Sequence, residues 1–516
     1  MASYSPAQLI ALVQTLTMMV QALQQQLEWF QRQMFGTRSE RLRVLENGQQ
    51  LALGEVLAPP QQSAPVKERT VAAHTRRERQ RDAAEAVGET ESIPFFDDAR
   101  VPVETIRVPP TEAQGLAADE FEVISEKVSY RLAQRPGAYV VLKYVRPVIK
   151  LRDTQVIVTA PAPQGVIEGS RADVSFLVGL LRDKLDYHLP LYRQHRRLLD
   201  SGINVSRPWL TQLGKQTVGL LEPIYDAHVR SILRSRVKTM DETPIKAGRS
   251  EHGRMKTAYF WPIYGELDEI CFPYFPSREG ENVYRILGNK HPAEAVLLTD
   301  GYAVYDSYAK QVGLTRAQCW SHGRRELFEA ESSDPQGARE GLRRIAALYA
   351  IEEEIRDRQL TGEAKRLHRL THSKPHVEAF FDWVDHKLEQ HGLAPATPFI
   401  KALKYVRQRR VEMMVFLSDA DVPIDTNHLE RAIRAIALGR RNWNFCWTEL
   451  GAKNIGIIQS LIATCRLHGL DVYTYLVDVL QRVGQHPASR VEELTPRLWK
   501  QHFAANPLRS ALDTLA

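Results

Sequence analysis

The chain has 516 residues, 43% hydrophobic and 25% charged, with 68 Lys and Arg against 62 Asp and Glu for a formal net charge of +6. These values exclude a disulfide-stapled miniature, a disordered polyelectrolyte and a membrane-embedded bundle, and predict several units with real cores. The mild basic excess favours a polyanionic partner. The scattered cysteines Cys271, Cys319, Cys446 and Cys465 predict a reducing compartment, and with no leader-like or membrane-spanning run the expected location is the cytoplasm.

In residues 1–47, Leu9, Val13, Leu16, Val20, Leu23, Leu27, Phe30 and Met34 recur at alternating spacings of four and three. That seam predicts a coiled coil and self-association, as a homodimer or higher oligomer; an amphipathic helix packed on its own domain is the alternative. Residues 48–95 are rich in Gln, Ala, Pro and charge and read as a flexible linker, with Arg76, Arg77, Arg79 and Arg81 on a solvated stretch. Residues 96–165 hold β-like patches at 139–144 and 154–158, predicting a small β-rich module. Residues 166–235 turn helical. There a helix reaches Gly202 and a second follows, capped by Ser206 with Pro208 in its first turn. The pattern fits a helix-turn-helix with Arg207, Thr211 and Gln212 as base-reading candidates, and fits a generic helical hairpin equally well.

From 236 to 321 the pattern becomes α/β. Strands are expected at 236–240, 257–264 and 269–275, a helix at 281–287, a strand ending at Asp300, a helix at 302–310 and a strand near 317–320. This βββαβαβ order is that of the RNase H-like fold. Residues 322–420 read as an all-helical, charged insertion. Residues 421–485 return to the core with a helix carrying Glu430, and 486–516 form a C-terminal tail. The fold class is therefore multidomain α+β.

Three acids carry the chemistry. Asp241 lies on the first strand of the α/β unit, Asp300 closes the apolar run 295–299, and Glu430 opens a basic helix. Two strand-end acids and a helical third can converge on two divalent ions, Mg2+ or Mn2+, and such a site performs in-line chemistry on phosphodiesters. Duller readings remain. Asp300 and Gly301 make an ordinary turn, Asn427 caps a helix that Glu430 closes as a capping box or Asp425 caps it instead, and Glu430 pairs with Arg434. Strand alternation should point Glu242 away from Asp241, and Asp425 is the expected cap.

Basic residues follow Glu430: Arg431, Arg434, Arg440 and Arg441, then Trp443 as a stacking candidate. A second stretch contributes Lys404 and Arg407, whose alternative is a solvated helix face. Cys319 and His322 have the spacing of half a zinc site, but no second pair stands nearby, so zinc is not expected. Cys319 is assigned to the core, and His322 either lies near the acids or packs.

At these motifs the chain resembles the insertion sequence 66 family of bacterial transposases, in its large catalytic subunit. The matching stretches are 241–244, 299–302 with Tyr305, 319–325, 427–434, 439–443 and 494–499, with 35–41 and 189–193 upstream. The resemblance implies a DDE site on an RNase H-like core with a helical insertion before the last acid. It assigns Asp241, Asp300 and Glu430 as catalytic residues and metal ligands. It further implies cleavage at the ends of an insertion sequence and joining of the 3′-hydroxyls to target DNA. Terminal inverted repeats and target DNA are then the partners, alongside accessory proteins of the same element. Two departures stand out. Members carry a cysteine zinc-finger module where 96–165 holds no Cys, and Thr426 stands where the family favours Asn. A structure-specific nuclease on the same fold, or a non-catalytic DNA-binding derivative, are the rival readings. The presence of all three acids argues against the derivative.

Overall fold

The computed structural model describes Phe95 to Asp513, apart from 98–100, 114–115, 118–119, 136, 252–253, 391–396 and 444–445. The expected coiled coil and nearly all of the expected linker lie outside the described residues.

The β-rich module is a four-stranded sheet of β1 (Val103–Arg107), β2 (Phe121–Arg135), β3 (Ala138–Leu151) and β4 (Ile157–Thr159). β3 is its centre, antiparallel to β2 over their whole length and parallel to β1. The core of this sheet is shared. Leu132 and Val141 pack with Phe176, Leu177, Leu198, Leu210 and Leu213 of the helices that follow. On its other face Leu142 and Tyr144 pack with Leu512 of the tail, where Ser510 Oγ donates to Asp173 at 2.6 Å. The cysteine-free module is thus held by apolar burial against the helices and the tail.

Three helices come next: α1 (Val174–Leu185), α2 (Leu191–Asp200) and α3 (Arg207–Leu233). The Ser206 side chain accepts the Trp209 N–H at 3.3 Å, the cap read from the sequence. At 27 residues α3 is a strut: its first turns pack under the β module, while Val218, Leu221 and Ile224 enter the central core.

The central unit follows. Its elements are β5 (Val237–Met240), β6 (Thr243–Glu251), β7 (Arg254–Phe260), β8 (Ile263–Gly265), β9 (Glu269–Cys271), β10 (Tyr274–Phe275), α4 (Glu281–Leu287), β11 (Val296–Thr299), α5 (Ala303–Val312) and β12 (Thr315–Gln318). Five strands pair in the order β12-β11-β5-β8-β9, and β8 alone runs antiparallel to the other four. The expected strands 257–264 and 269–275 each break at a proline, Pro262 and Pro273, because proline offers no N–H to a ladder. Their outer halves, β7 and β10, join the unexpected strand β6 in a separate three-stranded sheet.

Every residue of β5 and β11 is buried, so both faces of the five-stranded sheet are covered. Leu297 enters a core with Met240, Ile263 and Ile270, whereas Val296 and Leu298 enter another with Val237 and Ala317. That second core is closed by the all-helical insertion: α6 (Trp320–Glu329), α7 (Pro335–Asp357), α8 (Gly362–His368), α9 (Lys374–Gln390), α10 (Pro398–Arg407) and α11 (Arg410–Ser418). Buried Arg369 ties it together. Its Nε and Nη2 meet Glu352 at 2.7 and 2.8 Å, and Nη1 donates to the carbonyls of Phe416, Asp419 and Val422. The chain then returns as α12 (Asn427–Trp443), α13 (Glu449–Leu467), α14 (Val472–Arg482) and α15 (Pro496–His502). No helix among the described residues is long and apolar enough to cross a membrane.

Candidate active site

β5 and β11 are parallel neighbours with Thr239 opposite Leu298, so both strands end at the same sheet edge. Asp241 and Asp300 are the first residues past those ends and leave the sheet side by side. Asp241, Glu242 and Asp300 each offer an oxygen, all within 4.8 Å of one another, the only such trio among the described residues. The Tyr302 N–H donates to Asp300 Oδ1 at 2.9 Å, and the Glu242 N–H to Asp241 Oδ1 at 2.7 Å. Two arginines hold the peptides around Asp300. Arg316 Nη2 donates to its carbonyl at 2.5 Å, and Arg409 Nη2, from the insertion, to that of Gly301 at 3.1 Å. Gly301 admits this approach because a Cβ there would lie 2.7 Å from the Tyr405 ring.

Crowded, buried carboxylates resist ionisation. Burial first, and the Asp300 charge second, push Asp241 up to about 7, against the Glu242 N–H and His322. Burial likewise raises Glu242, offset by the Tyr305 hydroxyl and Arg278.

The placement of Glu242 corrects the expectation from strand alternation. Asp241 and Glu242 belong to no strand, the Asp241 side chain accepts the Glu242 N–H, and alternation lapses in this gap between β5 and β6. The Glu242 side chain is only 3% exposed. Its Oε1 accepts from Arg278 Nε at 2.7 Å and its Oε2 from Tyr305 at 2.8 Å.

Cys319 and His322 lie beside the acids. Burial alone would raise the Cys319 thiol, but hydrogen bonds from His322, Ser321 and Thr426 bring it below its ordinary value. His322 moves the other way: burial is outweighed by Cys319 and then by the charges of Asp300 and Asp241, which favour the imidazolium.

Glu430 sits in the first turn of α12, 31% exposed, outside the tight trio. Its carboxylate lies 3.6 Å from Arg325, rather than pairing with Arg434, and 3.5 Å from Thr426 Oγ1. Thr426 Oγ1 is in turn 3.2 Å from Cys319 Sγ, and the Thr426 N–H donates to the same sulfur at 3.3 Å. Asp425 accepts the Asn427 N–H at 3.0 Å, as expected of a cap. The Asn427 N–H, which Glu430 would have to accept in a capping box, is taken by Asp425, and the capping-box alternative falls away.

Among the other sequence candidates, Arg431, Arg434 and Arg441 are exposed on α12. Arg440 is half-buried and donates to the Pro244 carbonyl; the Trp443 side chain lies outside the described residues. Lys404 and Arg407 are exposed on α10, with Arg407 paired to Asp385 at 2.8 Å. Arg207 is exposed, its guanidinium 5.9 Å from the Tyr192 ring centroid. Sequence reasoning missed Arg278, Arg316 and Arg409: each is one more charge until the fold brings it to the acids.

Residues 169–454 match the model described as Transposase IS66 family, over half of the chain. The chain belongs to the IS66 transposase family. Residues 460–497 match the IS66 C-terminal element, and 22–86 a model described as Transposase C of IS166 homeodomain. Three proteins of Sinorhizobium fredii are similar along most of their length. Uncharacterized protein y4hP is 30% identical over 95% of this chain and 91% of its own. Uncharacterized proteins y4jD and y4qI are 28% and 27% identical, over 95% and 91% of this chain and 96% and 87% of their own. Family membership and the acidic trio make this chain a DNA transposase with DDE-type, metal-dependent chemistry.

Proposed function

We propose that Asp241, Asp300 and Glu430 are the catalytic acids, holding two Mg2+ or Mn2+ ions on an RNase H-like core. The observation that carries the reading is the pair of carboxylates at adjacent parallel strand ends, in a sheet whose order matches that fold. The donor set fits a hard divalent cation: carboxylate oxygens crowded enough to hold Asp241 protonated near neutrality gain most when a cation relieves them. Bound ions would supply a clamp on the attacking and leaving oxygens of an in-line displacement.

The chain's residues do the rest. The Tyr302 N–H fixes the Asp300 carboxylate, while Arg316 and Arg409 fix its peptides. Glu430 would complete the metal-holding set from α12, and it is linked to the trio through Thr426, Cys319 and His322. Arg431, Arg434, Arg440, Arg441 and Trp443 on α12, with Lys404 and Arg407 on α10, line the DNA path. Phosphate contacts position the duplex without reading it. The α2–α3 hairpin, with Arg207 at its turn, reads the terminal repeats as a helix-turn-helix.

The unit boundaries read from the sequence are proposed to hold, with residues 1–47 self-associating as a coiled coil and accessory proteins of the element joining the complex. We place the protein in the bacterial cytoplasm, at the nucleoid. The test is cleavage and strand joining by the purified chain on DNA from the ends flanking its gene. A structure-specific nuclease would cleave and never join; joining that depends on a free 3′-hydroxyl supports the transposase reading.

A further inference from the structure

Arg278 lies in the loop between β10 and α4, on no regular element, yet it is held from three directions. Its Nε donates to Glu242 Oε1 at 2.7 Å, and its Nη2 reaches the same oxygen. Its guanidinium stacks 4.4 Å from the Tyr302 ring centroid, and the Tyr302 hydroxyl donates to its carbonyl at 3.0 Å. The carboxylate that anchors it is itself fixed by fully buried Tyr305. Glu242 is almost entirely covered, whereas the Arg278 side chain is 47% exposed. Its Nη1 makes no hydrogen bond among the described residues.

A group of three carboxylates repels the phosphodiester it must act on. An arginine fixed at its rim, with part of its fork turned to solvent, offsets that repulsion and loses little freedom on binding. Glu242 is poorly suited to the metal, since both its oxygens already accept from donors and a cation would have to displace them. We propose that Arg278 binds a non-bridging oxygen of the scissile phosphate, and that Glu242 is its positioning residue rather than a metal ligand. This rests on the active-site reading above.

The test uses the full chain with Mg2+ and a duplex from the DNA flanking its gene, carrying either a normal phosphate or a neutral methylphosphonate at the cleavage position. Arg278→Ala should slow single-turnover cleavage of the normal duplex by about 10²-fold. DNA affinity and melting midpoint should stay near wild type, and Arg278→Lys should recover part of the rate. On the methylphosphonate duplex wild type and Arg278→Ala should be equally slow. Glu242→Gln should slow cleavage without raising the Mg2+ requirement. Normal cleavage by Arg278→Ala, the same penalty on both duplexes, or a raised Mg2+ requirement in Glu242→Gln would overturn the proposal. Should Arg278→Ala fail to fold, Arg278→Lys replaces it on the two duplexes: slowing confined to the normal duplex supports the proposal, and equal slowing on both overturns it. Asp300→Ala separates the layers: if it too cleaves normally, the active-site reading fails, whatever Arg278 does.

Discussion

Replacing Asp241 by Asn should stabilise the metal-free protein. The carboxyl moves from 3.8 to about 7 on folding, through burial and the neighbouring Asp300 charge. At about 1.36 kcal/mol per pH unit, the ceiling on this cost is about 4 kcal/mol. Solvent screening at a partly exposed carboxyl removes part of it, leaving about 1–2 kcal/mol for the substitution to recover. The amide keeps an oxygen for the Glu242 N–H and loses the charge. The sign follows from proton counts. Between pH 3.8 and about 7 the folded state holds a proton that the unfolded state has lost, so wild-type stability falls as pH rises. The advantage of Asp241→Asn should therefore grow across that window and level off above it. Scanning fluorimetry in chelator should give a melting midpoint about 1–2 °C higher than wild type at pH 8, and a smaller gain at pH 5. Saturating Mg2+ should reverse the order, because only the wild type gains from binding. A variant that melts below wild type at pH 8 without metal, or a pH-independent difference, would refute the reasoning.

Other outcomes are equally specific. Gly456→Ala should destabilise by about 1–3 kcal/mol, seen in urea titration, because a Cβ there meets the Phe272 carbonyl where α13 crosses the end of β9. Arg369→Ala should cost about 3–5 kcal/mol by leaving Glu352 buried and uncompensated; a loss under about 1 kcal/mol would mean that water replaces the guanidinium. Arg440→Ala with Arg441→Ala should weaken DNA binding for every sequence and flatten its salt dependence, measured by fluorescence anisotropy. Leu16→Asp with Leu23→Asp should lower the sedimenting mass, and an intact chain that is already a monomer at micromolar concentration would remove the coiled coil.

β11 was legible as a short apolar run with an acid just past its end, the signature of a parallel strand covered on both faces, whereas β5, with Lys238 and Thr239 inside it, shows that pattern only in part. The helical insertion was legible from its charge and length, and the start of α3 from Ser206 and Pro208. Pro262 and Pro273 were visible too, but that they divide one expected hairpin between two sheets follows only from pairing with β6, whose polar sequence carries no strand signal. Glu242 was misdirected because alternation holds along a strand and fails in the two-residue gap between β5 and β6. The shared core of the β module spans from Tyr144 to Leu512, a separation no local pattern reports. Arg278 and Arg409 reach the acids from a loop and from the insertion, and only the fold brings them together.

The most direct test is Mg2+-dependent cleavage and joining by Glu430→Ala, beside Asp241→Ala, Asp300→Ala and Asp425→Ala, on DNA from the ends flanking the gene. Each of the first three should nearly abolish both steps while DNA binding persists, and combining any two should cost little more than one. Asp425→Ala, which removes only a helix cap, should stay active. Robust cleavage by Glu430→Ala, with loss in Asp425→Ala, would contradict the assignment of the third acid.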